Sequence, residues 1–321
     1  MRNRHWAWLA LVLTFAVAPA TVHAQGSSGK PIKLVVTVGP GSAPDVIARM
    51  LAPLMSQELG RSVLVENRTG AGGNIAAVTV LHDKHDGAAA IIAGSATITL
   101  NPLLVSNAGF ETRDFKLVVG VADLPSYFIV GASVEANTVA DVVALLKGNP
   151  GKFVYAAPPA TVHHMAAEQL AYKAGFEWTR ISFRDPSQQT SELVSGRVPF
   201  AFASLPSVQA YIADGTLRAM GIASPQRVAS HPQIPAIAET FPGYAEGDFV
   251  GLFVPADTPA DALEALAAAT IKAREAPETR PRLDTLGMDV LRLDRATLES
   301  RMQQDVKRRS ELIQARGLKL D

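Results

Sequence analysis

No cysteine occurs in the 321 residues, which removes disulfides, thiolate metal sites and a cysteine nucleophile. Charge of one sign is not in excess either. Thirty Lys and Arg face thirty Asp and Glu, so the basic footprint of a nucleic-acid binder is missing. Aromatic residues make up only 6%. Internal repeats of about 20–50 residues are absent, and past the first segment no run approaches the roughly 18 apolar residues that cross a bilayer. With 48% apolar residues, 24 Gly and 21 Pro, the composition is globular rather than disordered, collagenous or coiled-coil. A single core stops growing near about 250–300 residues, so a chain of this length predicts two α/β domains.

The first segment, Met1 to Ala24, has a positive start at Arg2 and Arg4, an apolar run from Trp6 to Ala18, and Val22-His23-Ala24 as a cleavage site. This is the anatomy of a secretory signal peptide, with an apolar run too short to span a bilayer. An N-terminal membrane anchor is the alternative. No Cys follows Ala24, so lipid attachment is excluded. Removing residues 1–24 leaves a net charge of −2 and an exported, soluble chain.

The remainder alternates β-branched runs with Gly-rich loops and helical patterns. Ile32–Val38 predicts a strand buried on both faces. A loop from Gly39 to Pro44 follows, then a helix through Val46, Met50 and Leu54 that stops at Gly60. Further strands are predicted at Val63–Val65, Ala88–Ala93 and Leu117–Val121, with a helix over about Asn74–His82. A second series starts near Pro125, with strands at Tyr127–Val130, Phe153–Ala156, Arg180–Phe183, Phe200–Ala203 and Leu217–Ala223. Its helices are Val139–Leu146, opened by a capping box of Thr138 and Asp141, then His163–Ala174 and Gln188–Val194. Phe249–Val254, the helix Ala260–Ala273 and a closing helix from the Asp294 cap to Ala315 complete the chain. The charges of that closing helix (Arg301, Asp305, Lys307, Arg308, Arg309, Glu311) predict a solvated face laced with i,i+4 pairs. Strand, Gly-rich loop and helix in repetition predict doubly wound, parallel α/β sheets.

Ligands of open α/β sheets bind beyond the carboxyl ends of the strands. Those ends carry PGSAP, NRTGAGGN, GSAT, APPAT and FRDPS. Backbone N–H groups at helix starts suit a carboxylate or phosphate, although turns of this kind need Gly and Ser in any case. Five such loops in two similar halves favour a shared cleft. Catalytic motifs are missing: no G-x-S-x-G, no G-x-x-x-x-G-K-[ST], no H-E-x-x-H and no complete G-x-G-x-x-G. His163 and His164 are adjacent and diverge by about 100° on a helix, so they do not chelate one metal together. His164 fits either a cap or a donor to an anion in a cleft. Asp45 and Asp185 fit a general-base pair or, more commonly, helix caps. Arg49 fits a helix-end partner, and Arg184 fits a carboxylate clamp or a solvated loop.

Several motifs in order complete the reading. They are PIKLVV from Pro31, Asp45 with Ala48-Arg49, VENRTGAGGNIAA at Val65–Ala77, Asp86-Gly87, Asn101-Pro102 and NPGKFVYA at Asn149–Ala156. ELVSGRVPFAFASLPSVQAYIADGTLRAMGIAS at Glu192–Ser224, IPAIAE at Ile234–Glu239 and GLFVPADTP at Gly251–Pro259 follow. Together they resemble the tripartite tricarboxylate transporter substrate-binding proteins, the TctC or Bug family, over nearly all of the chain after Pro31. The resemblance implies a two-lobed type II periplasmic binding protein fold, each lobe a mostly parallel sheet flanked by helices, with the chain crossing twice between lobes. Lobe I is expected at residues 25–125 plus 248–321 and lobe II at 126–247.

The implied function is a periplasmic, non-enzymatic receptor without cofactor or metal. It would close like a Venus flytrap on a di- or tricarboxylate, acidic amino acid or aromatic carboxylate. As a monomer it would deliver this to membrane permease subunits or to a sensor kinase, with no role for nucleic acid. An exported hydrolase or lyase using Asp185 and His164 is the competing class. By position the resemblance implies a site of Gly41, Ser42 and Ala43; Gly72, Gly73 and Asn74; Ser95, Ala96 and Thr97; Ala160, Thr161 and His164; Arg184 and Asp185; and Ser204. Some of these contacts would run through ordered waters.

The chain departs from the family in specific places. Gly39-Pro40-Gly41-Ser42-Ala43-Pro44-Asp45 stands for P-P-G-G-[ST]-x-D, and Pro44 lacks an N–H. Ala157-Pro158-Pro159-Ala160-Thr161 replaces S-A-G-x-G-S, Phe183-Arg184-Asp185 replaces Y-K-G, and Ala203 replaces the usual acid before Ser204. These changes remove backbone donors and add a charge of each sign, which would suit a ligand with an anionic and a hydrogen-bond-donating end.

Overall fold

The computed structural model describes residues 29–183 and 186–318. The leader read at residues 1–24, and the pair Arg184 and Asp185, lie outside the described residues. The first series runs β1 (Ile32–Val36), α1 (Ala43–Leu59), β2 (Val63–Asn67), α2 (Asn74–Leu81), β3 (Ala89–Gly94), α3 (Ser95–Thr99), α4 (Asn101–Leu104) and β4 (Phe115–Leu124). The second runs β5 (Tyr127–Gly131), α5 (Val139–Lys147), β6 (Val154–Ala156), α6 (Val162–Ala174), β7 (Thr179–Ile181), α7 (Pro186–Val194), β8 (Phe200–Ala203), α8 (Gln209–Ala213), β9 (Leu217–Ile222) and α9 (Ile237–Thr240). The chain closes with β10 (Asp248–Pro255), α10 (Ala260–Arg274), α11 (Thr279–Thr285) and α12 (Arg295–Arg316).

Local chemistry places these elements. In β1, Leu34 and Val36 enter one apolar core and Val35 the core on the opposite face, so a continuous apolar run is what a strand covered on both sides requires. Pro44 sits in the first turn of α1, and Gly60 ends that helix at φ 60°. Thr138 accepts from the Asp141 amide while Asp141 accepts from Thr138, the reciprocal cap read from the sequence.

The two sheets share one plan. Their strand orders are β2-β1-β3-β10-β4 and β7-β6-β8-β5-β9. In each, the fourth position is antiparallel to both neighbours and the other strands run one way. Each sheet is thus mostly parallel, as expected for each lobe, with one reversed strand that the repetition of strand, loop and helix did not by itself predict. The reversed strands, β5 and β10, are those that begin immediately after the chain passes from one sheet to the other. The two passages lie side by side: Ala223 N–H donates to Ser126 C=O and Glu246 N–H to Ala223 C=O, both at 2.8 Å.

The closing helix also departs from expectation. It is capped by Asp294, which accepts from the Thr297 amide at 2.8 Å, and ends at Gly317 with φ 61°. Far from being only a solvated face, α12 lies against both sheets' layers. Leu298 enters the core of the first sheet. Leu312 joins a cluster that combines Ala96 of α3, Leu104 of α4 and Leu100 between them with Val162 and Met165 from α6. Its last arginine, Arg316, pairs with Glu168 and Glu177 of the second series. No described helix is long and apolar enough to cross a membrane.

Candidate functional site

An antiparallel strand starts where its parallel neighbours end. Thus β10 opens with Asp248 and Phe249 beside the end of β3, Val250 facing Gly94, and β5 opens with Tyr127 facing Ala203 at the end of β8. Both passages between sheets therefore join at carboxyl edges, which turns the two sets of ligand-type loops toward a common hinge.

In the first loop, Asp45 is the organiser. Its carboxylate accepts from the Gly41 amide (2.8 Å), from Asn67 Nδ2 (2.8 Å) and from Arg49 Nε (3.1 Å). Burial pushes this carboxyl up, but the Arg49, Gly41 and Asn67 donors outweigh it and hold it below the ordinary value. Asp45 is thus a loop tie rather than the expected helix cap, and Arg49, its partner, also reaches Asn67 Oδ1. The Gly41 amide is spent inside the loop. Ser42 Oγ is too, donating to Gly39 C=O at 2.6 Å. Ala43 opens α1, where the first amides have no acceptor within the helix.

The Gly72-Gly73-Asn74 stretch is built into the packing. Gly73 has φ 101°, and a Cβ there would meet Thr97 Cγ2 at 2.9 Å and Thr37 Cβ at 3.0 Å, so only glycine fits between these side chains. Asn101 Nδ2 donates to Gly72 C=O and to Asn74 Oδ1, while the buried Asn74 Nδ2 has no partner. Ala71, Asn74, Ile75 and Val78 also line a groove of about 420 Å³ closed by Val105 and Asn107.

The third loop holds a carboxylate already. Ser95 Oγ donates to Asp248 Oδ1 at 2.6 Å and the Ala96 amide to the same oxygen at 3.0 Å. Two donors assigned to a ligand are thereby engaged by the chain itself. Thr97 packs its methyl toward Gly73.

In the second series, Ala160 has φ 52°, a conformation that costs an alanine about 1–2 kcal/mol. Thr161 Oγ1 donates to Pro158 C=O at 2.8 Å and accepts from the His164 amide at 3.3 Å, so this hydroxyl caps α6. His164 is 3% exposed and its Nδ1 has no partner. Burial, then the nearby charge of Arg180, lowers its pKa to about 4. Its neighbour His163 turns elsewhere and lies 2.6 Å from Ser126 Oγ in the first passage. Ser204 precedes a short turn at Leu205–Ser207, accepts from Ser207 through its carbonyl, and makes no side-chain cap.

Two residues were missed by the sequence reading. Arg180, on β7, donates to Ala157 C=O at 3.5 Å and supplies positive potential beside His164. Asp248 sits under the third loop; its only signal was an acid opening the apolar run FVGLFVP. Among the described residues no group of three or more His, Asp or Glu is placed to hold a metal.

The model of the tripartite tricarboxylate transporter family receptor matches residues 47–318. The chain belongs to this receptor family. It is 33% identical over 291 residues to the "UPF0065 protein in tcbD-tcbE intergenic region" of Pseudomonas sp. (strain P51), covering 89% of this chain and 86% of that protein. Among solved structures, a periplasmic transporter superposes with TM-score 0.78 at 28% identity, covering 92% of this chain and 99% of that one. The periplasmic binding protein BugD superposes with TM-score 0.75 at 25% identity, covering 90% and 98%. The receptor therefore has the two-lobed fold of periplasmic binding proteins, with the hinge passages described above.

Proposed function

We propose that the receptor works in the periplasm and captures a small carboxylate between lobe I (residues 25–125 with 248–321) and lobe II (126–247), delivering it to the permease subunits of a tripartite transporter. The capture needs no cofactor and leaves the ligand unchanged. One observation supports the reading above others: the start of α6 lies at a carboxyl edge, with the first-turn amides of Val162 and His163 lacking intrahelical acceptors. Beside them, His164 keeps a buried nitrogen without a partner, and Arg180 contributes positive potential. A helix start with these groups is suited to an anion. Arg184 and Asp185, which stand in place of the Lys and Gly of the family's Y-K-G, enter the proposal as clamp and acceptor by position alone.

Mass spectrometry of ligand retained through native purification, followed by a thermal-shift screen of carboxylic acids, tests this. A true ligand at a hundredfold excess over Kd should stabilise the receptor by about 2.7 kcal/mol. Absence of stabilisation by every carboxylate sinks the proposal. Calorimetric titration of Arg184→Ala with the best ligand tests the clamp, and unchanged affinity removes Arg184 from the site.

A further inference from the structure

Five acids are buried among the described residues: Asp45, Glu168, Glu246, Asp248 and Asp305. Four have an arginine within 4 Å, namely Arg49, Arg316, Arg309 and Arg308. Asp248 has no such partner. It is 4% exposed and its two oxygens are treated unequally. Oδ1 accepts from Ser95 Oγ (2.6 Å), the Ala96 amide (3.0 Å) and the Phe249 amide (2.8 Å). Oδ2 receives no donor from any described residue and rests against Gly94, where a Cβ would come within 2.4 Å of it. Glycine at position 94 thus leaves the room that this oxygen occupies.

A buried carboxylate without a counter-charge is costly, and burial pushes the Asp248 carboxyl above its ordinary value. Arg309, whose charge it feels, is engaged by Glu246. Position completes the argument. Asp248 is the first residue of β10, at the carboxyl edge of the first sheet and at the end of the second passage, bonded to the loop that follows β3.

We propose that Asp248 Oδ2 is a specificity subsite for a positively charged nitrogen, so that the preferred ligand carries an ammonium group as well as a carboxylate. The inference rests on the carboxylate-receptor reading above. The ligand's carboxylate lies toward α6, and its ammonium supplies the counter-charge that Asp248 lacks within the chain. Only one oxygen lacks a donor, which suits a compact ammonium rather than a forked guanidinium.

The test compares matched pairs on the wild-type receptor by thermal shift and calorimetry: aspartate against succinate, glutamate against glutarate, and 4-aminobutyrate against butyrate. In at least one pair the ammonium-bearing member should bind about tenfold tighter or more, the ratio of a charge-assisted bond worth about 1.4 kcal/mol. Asp248→Asn, which keeps the shape and an acceptor, should bring that ratio within about threefold. Asp248→Ser is the reserve should the first variant not fold. Stabilisation by the desamino members alone overturns the subsite and leaves the carboxylate reading standing, whereas stabilisation by neither overturns both. An unchanged ratio in a folded Asp248 variant also overturns the subsite.

Discussion

Arg309 and Glu246 form an ion pair at 2.7 Å in which neither side chain is exposed to solvent. Arg309 belongs to α12 and Glu246 to the second passage between the sheets. The guanidinium also donates to Thr99 Oγ1 (2.9 Å) and to Gly247 C=O (3.3 Å). One side chain thus ties the closing helix to the passage and to α3.

Removing Arg309 leaves the buried Glu246 with only its longer contact to Arg308 at 3.3 Å, too little to offset its desolvation. Arg309→Met should therefore destabilise the receptor by about 3–5 kcal/mol, read as a drop in urea midpoint. The double variant Arg309→Met with Glu246→Leu should recover most of the loss. A single-variant effect below about 1 kcal/mol would contradict the burial of the pair.

His164 gives the receptor a pH dependence of definite sign. Burial and Arg180 lower its folded pKa to about 4, against about 6.5 in an unfolded chain. The unfolded state therefore binds the proton first. The contribution is fully present above about pH 6.5 and is lost as pH falls toward about 4. The loss amounts to about 3 kcal/mol at the lower end. Burial lowers His163 to about 4 as well, so His164→Gln should remove only part of the fall of urea midpoint over this window, and an unaltered slope would place the titration elsewhere.

Ala160 carries a left-handed backbone with φ 52°. Glycine relieves a strain of about 1–2 kcal/mol but loosens the unfolded chain by about 0.4–1 kcal/mol. Ala160→Gly should consequently raise stability by up to about 1 kcal/mol, seen as a small rise in Tm. A clear drop in Tm would show that its methyl, packed on the cluster around Leu312, matters more than its φ.

Asp45 holds the first loop through the Gly41 amide and Asn67. Asp45→Ala should cost about 1–3 kcal/mol by leaving these donors unpaired. Faster amide exchange at Gly41 and Ser42 should accompany the loss. Since its folded carboxyl lies below the ordinary value, the wild-type contribution persists above about pH 3.8 and fades only in stronger acid.

Local signals were legible in the sequence. IKLVV gave its strand, Gly60 and Gly317 gave helix ends, and Thr138 with Asp141 gave a cap, because each depends on neighbours a few residues away. The reversal of β5 and β10 was not legible, since an apolar run is the same in either direction. The short helix α3 was hidden for a similar reason: its Ala96 amide and Ser95 hydroxyl are satisfied by Asp248, which lies 152 and 153 residues away. Arg309 reads as one more cation on a charged helix until Glu246 and Thr99 are folded around it. At the candidate site, the sequence showed that the loops follow strand ends and lead into helix starts. Which donors remain open could not be read, because Asp45 and Asp248 consume several of them.

The borrowed fourth strand of the first sheet has a consequence for biogenesis. β3 and β4 both hydrogen-bond to β10, so each presents a bare edge until the whole second lobe has been made and threaded past them. At about 5–20 residues per second that interval is on the order of ten seconds. A chain that must wait so long for its keystone has reason to stay unfolded until its far end arrives.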